Sequence, residues 1–127
     1  MKKPNIVVDK SYAFALSVLR IYKAQANDHT LRPLLIQLVR SGTSIGANVH
    51  EGIAAESRAD FRHKMAIAYK EANECVFWLN ILHETSCISP DAYQQCYPLG
   101  VELTKILGSI NKTLKENASY RCVIPHS

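Results

Sequence analysis

The sequence predicts an all-α protein, an antiparallel four-helix bundle in up-down-up-down order. Apolar residues recur at steps of three and four along most of the chain, and no segment alternates with the period of two that a half-buried strand requires. Capping residues stand where the periodic segments begin. The connections between segments are short, which favours antiparallel neighbours. A length of 127 residues fits a single domain that spans residues 1–127.

The first two helices are predicted at residues 9–26 and 30–53. Asp9 is an acceptable N-cap for the first helix, and Thr30 is one for the second. The apolar row of the first helix is Tyr12, Leu16, Leu19 and Tyr22. In the second helix a seam with alternating steps of four and three runs through Leu31, Leu35, Leu38, Gly42, Ile45, Val49 and Gly52.

The third and fourth helices are predicted at residues 57–84 and 89–115, with a loose tail at 117–127. Ser57 and Asp60 resemble a capping box, and Ser89 followed by Pro90 is a strong helix start. Two rows share the third helix: Phe61, Met65, Ala68, Ala72, Cys75, Leu79, Leu82, and beside them Ile67, Glu71, Glu74, Trp78, Ile81. Because one neighbour cannot cover both rows, this helix has more surface to bury than a single contact provides.

Composition excludes several classes of protein. A chain that is 47% hydrophobic and 20% charged folds into a core, and it holds no apolar run of the roughly 18 to 20 residues that span a membrane. The N-terminus lacks the features of a secretory signal, and the four cysteines form no C-x-x-C pair. We therefore expect a cytoplasmic protein with reduced thiols.

The segment GTSIG, residues 42–46, matches the G-x-S-x-G pattern of a hydrolase nucleophile. That elbow needs a buried strand before the first glycine, whereas the residues before Gly42 have a helical period. We therefore interpret Gly42 and Gly46 as a small-residue pair that lets another helix approach closely. No catalytic residue is predicted, and the protein is not expected to be an enzyme.

A row of polar residues runs beside the apolar seam of the second helix: Gln37, Ser41, Ser44, Asn48 and Glu51. An exposed row would more often carry Lys and Glu, so a partly buried hydrogen-bonding face is favoured over a solvated edge. This face would answer Glu71 and Glu74 of its own bundle or the surface of a neighbouring subunit.

No metal or cofactor is predicted. Di-iron bundles use Glu-x-x-His, and no Glu in this chain has a His three positions later. Glu71 and Glu74 would form a carboxylate pair or, as we favour, one acid in a buried salt bridge and one on the surface.

The chain carries fifteen Lys and Arg against eleven Asp and Glu, a net charge of +4. Such a balance permits a nucleic-acid partner without requiring one. The candidate phosphate-binding residues are Lys10, Arg20, Lys23, Arg58, Arg62, Lys64 and Lys70. Solvated helix faces are the alternative for most of them, as for the lysines of the fourth helix.

Three runs together resemble the family of rRNA intervening-sequence proteins, which are ribosomal-protein-like. The runs are R-x-x-x-S-I-x-x-N-x-x-E-G, S-x-x-[DE]-F and K-E-x-x-E-x-x-x-W-L, within a resemblance that covers residues 10–115. The first is met by Arg40, Ser44, Ile45, Asn48, Glu51 and Gly52, the second by Ser57, Asp60 and Phe61, the third by Lys70, Glu71, Glu74, Trp78 and Leu79.

The resemblance implies a bundle that assembles as a homo-oligomer, typically a pentamer, and it carries over no catalytic residue. Relatives include the accessory variability protein of retroelements, a basic barrel that binds nucleic acid. We therefore expect an oligomer whose assembled basic surface binds RNA or DNA. The alternative is a protein–protein adaptor without nucleic acid. The residues assigned to helix contacts or to the oligomer seam are Arg40, Gly42, Ser44, Ile45, Gly46, Asn48, Glu51, Gly52, Glu71, Glu74 and Trp78.

Overall fold

The computed structural model describes the backbone of residues 3–25 and 27–123 and the side chains of residues 6–25 and 27–117. These residues form four helices: α1 (Lys3–Ala24), α2 (Arg32–Ile53), α3 (Arg58–Glu84) and α4 (Pro90–Val123). The described part of the chain contains no strand. The prediction of an all-α fold is confirmed.

Each helix packs against two others, so that α1 and α3 both contact α2 and α4. On α1 and α2, Val18 lies beside Gly42 and Ser11 lies beside Gly46. Rising numbers on one helix therefore meet falling numbers on the other, the order that helices running in opposite directions produce.

The core is built from the predicted rows of α2 and α3. All of the following are buried: Leu35, Leu38, Gly42, Ile45, Val49 and Gly52 on α2, and Met65, Ala68, Ala72, Cys75, Leu79 and Leu82 on α3. Burying an aliphatic side chain of this size stabilises a fold by about 1.5–3 kcal/mol relative to leaving it exposed. The two rows thus supply much of the driving force that joins α2 to α3.

The core face of α1 differs from the prediction. Val7, Phe14, Val18 and Ile21 are buried, whereas Tyr12 is 67% exposed and Leu19 is 38% exposed. Both rows have helical spacing, so the period alone does not choose between them. Phe14 takes the core position because it packs beside Gly100 of α4.

The predicted starts of α3 and α4 are confirmed by their caps. The hydroxyl of Ser57 accepts a hydrogen bond from the amide of Asp60 at 3.0 Å. Ser89 accepts one from the amide of Ala92 at 3.1 Å. Each bond satisfies an amide that the first helical turn leaves without a carbonyl partner.

The start predicted for α2 is wrong by two residues. Asp28, not Thr30, supplies the side-chain acceptor, because its Oδ1 takes the amide hydrogen of Leu31 at 3.1 Å. The helix proper begins at Arg32, with proline in its first turn.

The outer ends of the bundle are also longer than predicted. α1 begins at Lys3, so Asp9 lies inside the helix and is not its cap; the extra turn buries Val7. α4 continues through Pro98 as far as Val123. The predicted end at residue 115 and the loose tail are therefore wrong up to residue 123. The helix continues because residues 109–123 contain no glycine or proline. The rest of the predicted tail, residues 124–127, and the predicted last residue of the first helix, Ala26, lie outside the described part of the chain.

Candidate nucleic-acid interface

The G-x-S-x-G pattern lies wholly inside α2. Residues 32–53 form one helix, and the hydroxyl of Ser44 donates to the carbonyl of Arg40 one turn earlier, at 2.7 Å. A nucleophile elbow places its serine on a sharp turn between a strand and a helix. The local backbone at Ser44 is instead that of a helix interior.

The two glycines of the pattern lie against α1. A methyl group on Gly42 would stand 2.7 Å from Cγ2 of Val18, closer than carbon atoms approach without displacement. At Gly46 the nearest atoms belong to Ser11, at 3.6 Å. Gly42 therefore sets how closely α1 and α2 pack, while Gly46 leaves room for one more carbon. Ile45, between them, is fully buried.

The polar row of α2 forms its hydrogen bonds within the bundle. Ser41 is buried; its hydroxyl donates to the carbonyl of Gln37 at 2.9 Å and accepts from the thiol of Cys75 at 3.2 Å. The side-chain amide of Asn48 donates to the carbonyl of Ser44 at 2.8 Å. The row is partly buried, as the sequence predicts, but Ser41, Ser44 and Asn48 form no hydrogen bond with Glu71 or Glu74 of α3.

The carboxylates of α3, Glu71 and Glu74, form ion pairs with Arg40 of α2. Its Nη1 lies 3.4 Å from Oε1 of Glu71, and its Nη2 contacts Oε2 of Glu74. The indole of Trp78 donates to the same Oε2 at 3.1 Å. We call these four residues the Arg40 cluster; it joins α2 to α3 across the flank on which those helices meet.

The Arg40 cluster shifts the pKa values of its members in opposite directions. The hydrogen bond to Glu74 raises the pKa of the Arg40 guanidinium. Burial acts to raise the pKa of Glu74, but the hydrogen bonds from Trp78 and Arg40 outweigh it, and that pKa lies below its ordinary value. Both shifts favour the charged forms. Glu51 lies in the last turn of α2 and pairs with Lys64 of α3 at 2.9 Å. The hydrogen bond from Lys64 lowers the pKa of the Glu51 carboxyl.

The opposite flank of α3 has a different electrostatic character. A furrow runs between α3 and α4 and is lined by Ala59, Arg62, His63, Ala66, Tyr69, Lys70, Gly108, Asn111, Lys112 and Lys115. We call it the α3–α4 furrow. Four of its residues carry full positive charge and none carries a carboxylate. Within the described part of the chain, none of these four cations takes part in an ion pair.

Close helix packing forms the floor of this furrow. A methyl group on Gly108 would lie 3.2 Å from Cε1 of Tyr69, so the tyrosine ring rests over the glycine. The side-chain amide of Asn111 donates to the carbonyl of Met65 at 2.9 Å and thereby ties α4 to α3. Ala59, Ala66 and Gly108 are the small residues of the furrow, and they lie between the basic residues of its two walls.

The predicted phosphate-binding residues do not form one surface. Arg62 and Lys70 line the furrow, and Arg58 lies with Arg62 along a neighbouring depression near Leu114. Lys64 faces α2, paired with Glu51 as described above. These positions divide the basic residues of α3 between its two flanks.

The candidates on α1 are distant from the furrow. Lys10 pairs with Glu102 at 3.0 Å. Arg20 and Lys23 are exposed beyond Ser17, whose hydroxyl lies 3.2 Å from the sulfur of Cys96. Since Cys96 precedes residue 112 by sixteen residues, these two cations are more than about 24 Å from Lys112 along α4.

Lys112 and Lys115 are the furrow residues that the sequence interpretation left among solvated helix faces. The spacing of three puts them on one side of α4, which the sequence does reveal. Their position opposite Arg62 and Lys70 depends on how α3 and α4 are aligned, and no local pattern encodes that alignment.

The described residues contain no group of three or more His, Cys, Asp or Glu side chains placed to hold a metal ion. Within the same residues, no helix is both long and apolar enough to cross a membrane.

Comparisons with known proteins bear on the whole bundle. The model of the family described as 23S rRNA-intervening sequence protein matches residues 3–109. The chain belongs to this family. The resemblance that the three sequence runs indicate is thus confirmed. Arg62 and Lys70 lie inside the matched range, whereas Lys112 and Lys115 lie beyond its end.

A protein of known crystal structure has a similar fold. It is a protein of unknown function from the S23 ribosomal protein family of Bacteroides thetaiotaomicron VPI-5482, 44% identical to this chain. The match covers 88% of this chain and 99% of that one, with a TM-score of 0.80. A comparison with curated proteins gave no match.

Proposed function

We propose that the protein is a non-enzymatic, homo-oligomeric bundle that binds RNA or DNA through phosphate contacts in the α3–α4 furrow. The observation that carries this proposal is the set of four cations, Arg62, Lys70, Lys112 and Lys115, on facing walls without a carboxylate between them. Unpaired cations on two sides of a furrow are what a phosphate backbone requires. Each contact releases condensed counterions, which supplies most of the affinity of such interfaces.

The family name supports RNA as the first ligand to test, because the family is named for an intervening sequence of 23S rRNA. Phosphate contacts by themselves carry no sequence information. We therefore expect little preference among mixed sequences.

Self-association strengthens the proposed interface. A net charge of +4 on one chain is modest, but copies arranged in a ring add their fields. The exposed apolar side chains of Tyr12, Leu19 and Ile36 on α1 and α2 support an interface between copies. We propose a pentamer, and light scattering at micromolar concentration tests it. A mass five times that of the chain is expected, and a monomer would refute it.

The direct test of nucleic-acid binding is fluorescence anisotropy with labelled RNA and DNA of mixed sequence. At about 50 mM salt we expect binding to both, weakening by a factor of ten or more as salt rises to about 200 mM. An absence of binding at the lower salt concentration would refute the proposal.

A second candidate function is that of a protein–protein adaptor, and the exposed ring of Phe77 favours it. Phe77 is 56% exposed and packs edge-on against Trp78, with ring centroids 5.4 Å apart. A protein captured after nuclease treatment, and lost with Phe77→Ser, would favour the adaptor over nucleic-acid binding.

We also propose that the protein resides in the cytoplasm and catalyses no reaction. Cys75, Cys87 and Cys96 are free thiols, which suits a reducing compartment. Burial raises the pKa of Cys75 to about 12 and that of Cys96 to about 11, so neither is a nucleophile at neutral pH. The hydroxyl of Ser44 donates to the backbone carbonyl of Arg40, and no side-chain base among the described residues accepts its hydrogen.

A further inference from the structure

An aromatic ring lies among the cations of the α3–α4 furrow. Tyr69 keeps 36% of its surface exposed, and one edge of its ring rests over Gly108. Its hydroxyl forms no hydrogen bond with a described residue. A partly exposed aromatic side chain that lines the furrow together with Lys70 and Lys112 adds a chemistry that phosphate binding alone does not use, because aromatic rings stack on bases.

Asn111 adds a polar group that is fixed in place. Its amide nitrogen donates to the carbonyls of Met65 at 2.9 Å and Leu107 at 2.8 Å. These two bonds occupy the donor end of the side chain. The oxygen Oδ1 takes no hydrogen from a described residue, so it is free to accept one from the edge of a base.

The width of the furrow discriminates between single and double strands. Packed helices lie about 8–10 Å apart axis to axis, whereas the major groove of a duplex is by itself about 12 Å wide. A duplex is therefore too wide to enter the furrow and would contact only the ends of the cationic side chains. Its bases are also stacked on one another and paired, so neither Tyr69 nor Asn111 would reach them.

The length of the furrow suits a short segment. Eight residues separate Arg62 from Lys70, which is about 12 Å along α3. At about 3.4 Å per stacked nucleotide this accommodates on the order of four nucleotides.

We propose that the α3–α4 furrow binds a single-stranded segment of nucleic acid, with one base stacked on Tyr69 and its phosphates on the cations of the two walls. This inference rests on the proposed function and specifies its ligand: unpaired strands rather than duplex. RNA and DNA share the required phosphate and base chemistry, so both are probes.

The experiment compares four labelled probes of equal length by anisotropy: single-stranded RNA, single-stranded DNA, a DNA duplex and an abasic sugar–phosphate strand. The variants are Tyr69→Leu, which keeps apolar bulk over Gly108 but removes the π face, and Tyr69→Phe, which keeps the ring. Circular dichroism melts verify that both variants fold as the wild type does.

We expect Tyr69→Leu to weaken binding of both single strands by about ten-fold, within the range that one stacked base contributes. Tyr69→Phe should stay within about two-fold of wild type, since base stacking requires only the ring. Binding of the duplex and of the abasic strand should not respond to either variant.

Two results would overturn the inference, and they are distinguishable. If all probes bind but Tyr69→Leu binds single strands as tightly as wild type, base stacking is refuted while phosphate binding stands. If no probe binds at about 50 mM salt, the proposed function itself fails.

Discussion

The two flanks of α3 carry similar numbers of charged groups but use them in opposite ways. Towards α2, Arg40 bridges Glu71 and Glu74, and Lys64 pairs with Glu51. Towards α4, Arg62 and Lys70 face the lysines of α4 with no carboxylate between them.

This difference separates charges that are paired across a helix contact from charges that form no ion pair among the described residues. A cation that pairs with a neighbouring helix stabilises the folded chain only, and modestly, because solvent screens it. Like charges facing one another repel and slightly destabilise the fold. The presence of four cations along one furrow is consistent with an anionic ligand that offsets this repulsion when it binds.

Reversing charges in the furrow should have the largest effect. The double variant Lys70→Glu/Lys112→Glu removes two phosphate contacts and adds two repulsive charges. We expect the affinity for single-stranded RNA, measured by anisotropy at about 50 mM salt, to fall by about 100-fold.

The matched control is Arg20→Glu/Lys23→Glu, which makes the same change in net charge on α1, outside the furrow. We expect its affinity to stay within about three-fold of wild type. If both double variants weaken binding equally, net charge rather than the furrow determines affinity.

Alanine substitutions at Gly52 and Gly108 test how tightly α3 packs against α2 and against α4. A methyl group at Gly52 would lie 2.6 Å from Cε of Met65 and 3.2 Å from Cβ of Lys64. The methyl of Met65 is the end of a flexible side chain, but the residue is buried and has little space to move into. Overpacking should therefore slightly outweigh the gain in helix propensity, and Gly52→Ala should lower the free energy of unfolding by about 1 kcal/mol. Gly108→Ala meets only the exposed ring of Tyr69 and should leave stability unchanged or higher. Urea unfolding measures both, and equal losses would contradict the comparison.

The Arg40 cluster should contribute to stability and not to binding. Arg40→Met keeps the aliphatic part of the side chain and removes the charge. We expect the free energy of unfolding to fall by about 1 kcal/mol, because the guanidinium is half exposed and screened. Its affinity for RNA should equal that of wild type. Lys112→Met should lower the affinity for RNA and leave the free energy of unfolding unchanged. A loss of stability in this variant would show that Lys112 forms an ion pair in the folded protein.

The smallest effect is the pH dependence of the Arg40 cluster. The pKa of Glu74 is lower in the folded protein than its ordinary value, so its contribution is fully present above the unfolded-state pKa and is lost as pH falls through the folded-state pKa. Urea unfolding at about pH 6 and about pH 3 should show a loss of less than about 1 kcal/mol from this group. In Glu74→Gln that part of the loss should vanish; an unchanged pH profile would contradict the assignment.

The sequence predicted the parts of the fold that local patterns encode. The seam from Leu35 to Gly52 and the caps at Ser57 and Ser89 follow from spacing and from side-chain chemistry within one turn. The core face of α1 was mispredicted because two apolar rows with the same period compete, and only packing against Gly42 and Gly100 selects one.

Two of the four furrow cations, Arg62 and Lys70, are among the residues that the sequence interpretation proposed for phosphate binding, and that role stays a prediction. Arg62 and Lys70 are eight residues apart on one helix, an offset of about 80° around its axis, so spacing alone does not assign them to one surface. Their partners Lys112 and Lys115 are more than forty residues away, and the meeting of the two pairs depends on how α3 aligns with α4. The same holds for Arg40 and its two glutamates, which the sequence placed among helix contacts without assigning the pair.

The salt dependence of RNA binding counts phosphate contacts, because each contact releases condensed counterions. We expect the slope of log affinity against log salt to be smaller by about one in Lys112→Met than in wild type, and unchanged in Arg40→Met. A slope for Lys112→Met equal to that of wild type, or one that falls as much for Arg40→Met, would contradict the division of α3 into a paired flank and a ligand-binding flank.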